Sequence, residues 1–188
     1  LFQHQQLISF HQNKNMYKKL LLVSLVVISS CSLMAQSTPQ KLSDKVTVTF
    51  PGKPEEQKLG NGAGAFSYKK DSSQTYIGMS VDLSPMGLSA ELVQSLGDGL
   101  WDQMLATMLA QMGGSTIVKS DKTIFKGKSS LYLEVDGKSS TNPEYKDKRI
   151  FAYMFFIGSS LHQVAYRTSG DALPAEAKSF FDSVTIAQ

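Results

Sequence analysis

The chain has 188 residues, with 19 Lys and Arg against 16 Asp and Glu and a formal net charge of +3. Lys14, Lys18 and Lys19 precede Gln36 and every acidic residue follows it. From Gln36 onward 16 basic residues therefore face 16 acidic ones, which excludes the basic footprint of a nucleic-acid binder and a polybasic cluster for anionic lipid heads. Cys31 is the sole cysteine, so the 153 residues from Gln36 can form no internal disulfide and must hold together through an apolar core, for which that length suffices.

Residues 1–15 carry no periodic apolar pattern and do not begin with Met; they read as sequence upstream of a start at Met16, or as a disordered extension. Residues 16–35 read as a signal peptide. Lys18 and Lys19 supply the charged start, 20–28 (LLLVSLVVI) the apolar run, and small residues follow. The run is too short to span a bilayer, which takes about 20 residues. Two cleavage sites compete. Ile28-Ser29-Ser30-Cys31 resembles the bacterial lipobox, which would make 16–30 a lipoprotein signal and Cys31 an acylated N-terminus. A cut after Ala35 would instead leave Gln36 first, although Leu33 is larger than this site prefers. Both readings place the domain outside the cytoplasm, in the periplasm or as an outer-membrane lipoprotein. A lipid on Cys31 is the only membrane attachment expected.

Residues 36–44 read as a polar tether, and 45–188 as a single domain. In 45–50 (KVTVTF) Val46, Val48 and Phe50 share one face and Thr47 and Thr49 the other, the alternation of a half-buried strand. Pro51-Gly52-Lys53-Pro54 ends it, and 55–60 is polar. Segments 65–70 and 74–83 form a hairpin about Asp71-Ser72-Ser73. A loop over 84–88 leads to Ser89, a suitable N-cap with Glu91 in the first turn. Leu92, Leu96, Leu100, Met104, Met108 and Met112 then recur every four residues, flanked by Val93, Trp101, Leu105 and Leu109, which predicts a helix over 89–112. Gly97 and Gly99 weaken its first half and open a kink there, with Asp98 capping a second segment; Gly113-Gly114 stops it.

Strands follow at 115–123, 130–136, 148–157 and 160–167, with turns at 125–128 and at Gly158-Ser159, where Gly suits the first central position of a type II′ turn. The long polar connection 136–147, containing Asn142-Pro143, reads as a solvated linker in which loop function could reside. The centre of the pattern is 148–157. Ile150, Ala152, Met154 and Phe156 point one way and Phe151, Tyr153, Phe155 and Ile157 the other, so this strand must be covered on both faces. Pro174 opens a last helix with Ala177, Phe180, Phe181 and Val184 at helical spacing, and 184–186 forms a short final strand. Two apolar helices and one double-faced strand predict an α+β fold, a three-layer α/β/α sandwich around a mostly antiparallel sheet.

This order of elements is familiar. A strand ending Phe50-Pro51-Gly52-Lys53-Pro54, a hairpin, a helix closing on Gly113-Gly114, a meander, and Phe180-Phe181-Asp182-Ser183-Val184 together resemble the PsbP-like and DcrB-like proteins, over residues 45–186. The resemblance implies an α/β/α sandwich and accessory or binding roles outside the cytoplasm, and it supplies no catalytic residue.

The residues themselves offer little chemistry. His162 is the only histidine after Gln36, and no G-x-S-x-G elbow accompanies it, so a hydrolase built on His162 is the weakest of three functional readings. One His and no Cys cannot build a zinc site, and no metal or cofactor is expected. Asp98 and Asp102 read as a solvated helix face. Gly127-Lys128-Ser129 and Gly137-Lys138-Ser139 lack the earlier glycine and the following helix of a phosphate loop, and Gly60-Asn61-Gly62-Ala63-Gly64 leads into a strand; all three read as turns. The Met104, Met108, Met112 stripe reads as core. The leading expectation is a non-catalytic cell-envelope protein that binds an unknown envelope partner. The second is a carrier of a small apolar ligand between helix 89–112 and the sheet. A filled core there would favour the first and a cavity of several hundred Å3 the second.

Overall fold

The computed structural model describes residues 37–59 and 63–187. Residues 1–15, the segment 16–35 expected to be a signal peptide, Cys31 within it, and Gly60-Asn61-Gly62 lie outside the described residues. Within the compact unit Gln36–Gln188, the elements are β1 (Thr38–Lys41), β2 (Val46–Phe50), β3 (Glu55–Leu59), β4 (Ala63–Lys69), β5 (Gln74–Asp82), α1 (Ala90–Leu96), α2 (Asp98–Gln111), β6 (Thr116–Phe125), β7 (Lys128–Asp136), β8 (Arg149–Ile157), β9 (Ser160–Thr168), α3 (Ala175–Asp182) and β10 (Thr185–Ile186).

Seven strands form one sheet in the order β3-β4-β5-β9-β8-β7-β6, antiparallel throughout. As expected from its alternation, β8 is buried on both sides. Ile150, Ala152 and Met154 join Leu131, Leu133 and Val135 of β7 on the face covered by Trp101 and Met112. Phe151 and Phe155 join Tyr76, Val164 and Tyr166 on the opposite face. Two hairpins set the register of this region. Lys126 and Gly127 both take positive φ, 51° and 77°, the signature of a type I′ turn. Of the pair Gly158-Ser159 only Gly158 is positive, at 62°, which fits type II′.

The expected last helix covers the second face, but not alone. It is α3, joined by a separate three-stranded sheet, β1-β2-β10. Val46, Val48 and Phe50 have a single apolar face, which β2 turns onto the main sheet; all three are fully buried. Phe50 meets Phe180 at 5.3 Å, and Phe180 meets Tyr76 edge-on at 5.2 Å. The small sheet comes so close that a Cβ on Gly78 of β5 would lie 2.8 Å from the Leu42 side chain. Glycine at this mid-strand position is what allows the approach.

Two segments expected to be irregular are strands. The 36–44 tether holds β1, which pairs with β2 from Thr38↔Phe50 to Lys41↔Thr47, and Leu42 is buried. The polar stretch 55–60 holds β3, an edge strand on β4. Neither has apolar alternation; backbone pairing holds both, and Pro39 costs β1 nothing because it faces Thr49, whose amide donates to Ser183 Oγ instead.

The helix 89–112 is broken. Ser89 Oγ accepts the Leu92 amide at 3.2 Å, as an N-cap should, but Gly97 adopts φ +50° and ends α1 after seven residues. The four-residue series survives only in part. Leu100, Trp101 and Met112 are buried, Met104 and Met108 are half-buried against the core, and Leu92 and Leu96 on α1 are 41% and 37% exposed.

Candidate functional site

The break at Gly97 opens a concavity. Val93 and Gln94 of α1, Gly97, and Leu100 and Trp101 of α2 form one wall, and Lys128, Ser129, Phe156 and Gly158 the other. The space between them is about 470 Å3 and partly open to solvent. Its floor is aromatic: the Trp101 and Phe156 rings are 5.2 Å apart and inclined by 43°. Trp101 is 3% exposed and is the only tryptophan of the chain. Among the described residues no acidic side chain lines the cleft; Lys128 borders it, but it pairs with Phe125, whose ring packs on the opposite face of the sheet. Lys128 and Ser129 reach it because the tight Lys126-Gly127 turn starts β7 at that edge. Gly127 is the turn glycine expected there, whereas Lys128 and Ser129 already belong to β7; Trp101, expected beside the helical stripe, is buried, and the site arises where the two meet.

Other sequence candidates are dispersed. His162 on β9 is 1% exposed and stacks on Phe155 at 5.4 Å and 22°. Its Nδ1 is buried without a hydrogen-bond partner, and burial pushes the imidazole down to about 4. No carboxylate bonds the ring among the described residues, so no Ser-His-Asp geometry surrounds it. Asp102 pairs with Lys122 of β6 at 3.2 Å and ties α2 to the sheet edge. Asp98 is exposed in the first turn of α2. Among the described residues no three His, Cys, Asp or Glu side chains converge.

The connection 136–147 is neither a loose linker nor a cleft wall. Ser140 Oγ donates to the Met112 carbonyl at 2.7 Å, the Thr141 amide to the Gly113 carbonyl at 2.7 Å, and Asn142 Nδ2 to the Gln111 carbonyl at 3.4 Å. These are carbonyls at and just beyond the end of α2, where a helix has no partners of its own. Gly137-Lys138-Ser139 is the turn leading into this cap: the Gly137 amide donates to the Lys148 carbonyl at 2.8 Å and its carbonyl accepts from the Ser140 amide at 2.9 Å. A Cβ on Gly137 would lie 1.8 Å from the Tyr145 carbonyl oxygen.

A charged depression of about 210 Å3 lies beside this loop, lined by Asp136, Lys138, Lys148, Arg149 and Asp171 among others. Several of its side chains are held by polar partners. Arg149 donates to Glu134 at 2.6 Å and to Asp136 at 3.1 Å, and Lys148 Nζ donates to Ser169 Oγ at 2.7 Å. The hydrogen bond to Glu134 raises the Arg149 pKa further, so the cluster is a fixed cross-strand brace.

No family model matches the sequence, and no curated protein matches it. Among solved structures, the chain is similar to the cyanobacterial PsbP protein of Synechocystis at 12% identity and TM-score 0.48, over 82% of this chain and 95% of that one. It is also similar to a Pseudomonas aeruginosa protein of unknown function described as a putative regulator, at 12% identity and TM-score 0.43, over 78% and 92%. A Bacteroides thetaiotaomicron structure aligns at 11% identity and TM-score 0.45, over 83% of this chain and 50% of that one. The fold class rests on the strand pairing itself: mixed α+β around a large antiparallel sheet.

Proposed function

We propose that the protein is a non-catalytic binding module of the cell envelope, and that the cleft at Gly97 holds a small apolar group. The supporting observation is the 470 Å3 space floored by Trp101 and Phe156, which falls within the roughly 300–1,000 Å3 typical of small-molecule sites. The carrier reading therefore takes precedence over the accessory-partner reading, which a filled core would have favoured. A hydrolytic role for His162 has no support in the geometry, since the ring is enclosed and no carboxylate orients it.

A neutral fluorescent probe such as Nile red tests the site. It should bind the purified protein saturably, and Val93→Asp, which places a charge in the cleft wall on a helix that buries none of its side chains, should weaken binding at least tenfold with an unchanged melting temperature. Equal binding by both proteins would remove the cleft from consideration. The envelope location draws on the 16–35 signal pattern. Leu22→Asp with Val26→Asp should retain the protein in the cytoplasm on cell fractionation; continued export would refute that assignment.

A further inference from the structure

We propose that α1 is a movable lid on the cleft, hinged at Gly87 and Gly97, which closes over an apolar occupant. The inference rests on the cleft reading above and adds how the site opens and shuts. α1 has seven residues, and none of its side chains is buried. From Ser84 to Gly99 only Leu88 and Val93 are even half-buried, and Val93 lines the cleft. Among the described residues, every hydrogen bond made from Ser84 to Leu96 stays within residues 82–97. A helix this short is marginal by itself, since isolated helices need about 12–15 residues. Few buried side chains and no hydrogen bond to the body of the fold define a unit that opens at low cost. Both of its ends turn on glycine. Gly97 has φ +50° and ψ −129°, and Gly87 has φ +84°, conformations open to glycine and unfavourable for other residues. A Cβ at either position would meet nothing within 4 Å, so glycine there serves the backbone turn and not a close approach. What α1 lacks is a body to pack on. An apolar group seated over Trp101 and Phe156 offers Ala90 and Val93 that surface. Occupancy therefore favours the closed α1, and an empty cleft leaves it free to open.

Hydrogen exchange followed by mass spectrometry reads α1 directly. In the free protein the amides of residues 91–96 should exchange about a hundredfold faster than those of β8, and saturating Nile red should slow them about tenfold while leaving β8 unchanged. Gly97→Ala puts a Cβ on a backbone that disfavours it, so α1 loses its closing geometry; Nile red should bind about tenfold more weakly, with an unchanged melting temperature. Gly99→Ala is the control: its Cβ also meets nothing within 4 Å and its φ is not positive, so it should bind as the wild type does. Amides of α1 as slow as those of β8 in the free protein would make α1 a fixed wall and overturn the lid. Exchange that saturating Nile red leaves unchanged would overturn it equally, and in both cases the cleft reading stands if Val93→Asp weakens binding. Gly97→Ala binding as tightly as the wild type would overturn the hinge. If Nile red does not bind saturably, or Val93→Asp leaves its binding unchanged, the lid and the cleft reading fall together.

Discussion

His162 shows how a residue suited to catalysis becomes a structural element. It sits in the aromatic layer, stacked on Phe155, and its neutral form is favoured because burial disfavours the charge. The consequence for stability has a definite sign. In the unfolded chain the imidazole takes up a proton near its ordinary value of about 6.5, whereas in the folded protein it does so only near 4. Between these values the unfolded state binds more protons, so stability is fully present above about pH 6.5 and falls as pH drops toward 4. The slope should reach at most about 1.4 kcal/mol per pH unit. Asp71, Asp82 and Glu91, whose carboxyls are lowered by local hydrogen bonds, act in the more acidic range below their own ordinary values. Urea melts of the wild type and of His162→Leu across pH 5–7 separate the two contributions. The variant should lose the slope in this window; an unchanged slope would mean that His162 is protonated in the folded protein. The sequence showed that His162 lies on a strand beside Val164 and Tyr166, but its burial depends on which face of β9 the second layer covers.

At the scale of elements, legibility followed apolar alternation. β8 was readable to the level of individual faces because both sets of alternate residues are large and apolar. β1 (TPQK) and β3 (EEQKL) were not readable, because edge strands can be held by backbone pairing alone and leave no side-chain pattern. The helical stripe was visible, but the left-handed Gly97 redirected α1, and the cleft this opened has no linear signature. Its walls come from α1, α2, β7, β8 and the Gly158 turn, far apart in sequence. The cap on α2 was equally hidden, since it depends on the loop 136–147 reaching across space. The Met112 carbonyl receives two hydroxyls, Ser140 Oγ at 2.7 Å and Ser115 Oγ at 2.8 Å, and both serines are buried. Ser140→Ala or Ser115→Ala alone should cost about 1 kcal/mol, because the other hydroxyl still satisfies the carbonyl. The double variant leaves it buried with only the long Ser115 amide contact of 3.4 Å. Its cost should exceed the sum of the singles by roughly 1 kcal/mol in chemical denaturation. Strict additivity would mean that water replaces the hydroxyls.

The layered architecture of the whole molecule can be tested at two adjacent residues. Met154 and Phe155 are 1% and 0% exposed, on opposite faces of β8. Alanine at either should cost about 2–5 kcal/mol. One mild and one severe result in urea melts would leave only one face of the sheet covered. The two coverings differ in how they are assembled. The first face is closed by α2, which precedes β7 and β8 in the chain. The second is closed by the small sheet, in which β2 lies between β1 and β10, and the Ala187 amide donates to the Lys45 carbonyl at 2.8 Å. The Thr49 amide likewise bonds Ser183 Oγ across 134 residues. A ribosome takes on the order of 10 s to make such a length. Throughout that time β2 has its β1 partner but no β10, and Phe151, Phe155 and Tyr166 have no complete cover. Completion of this face is therefore a late, long-range event: β10, the last described strand, completes the pairing of one of the first.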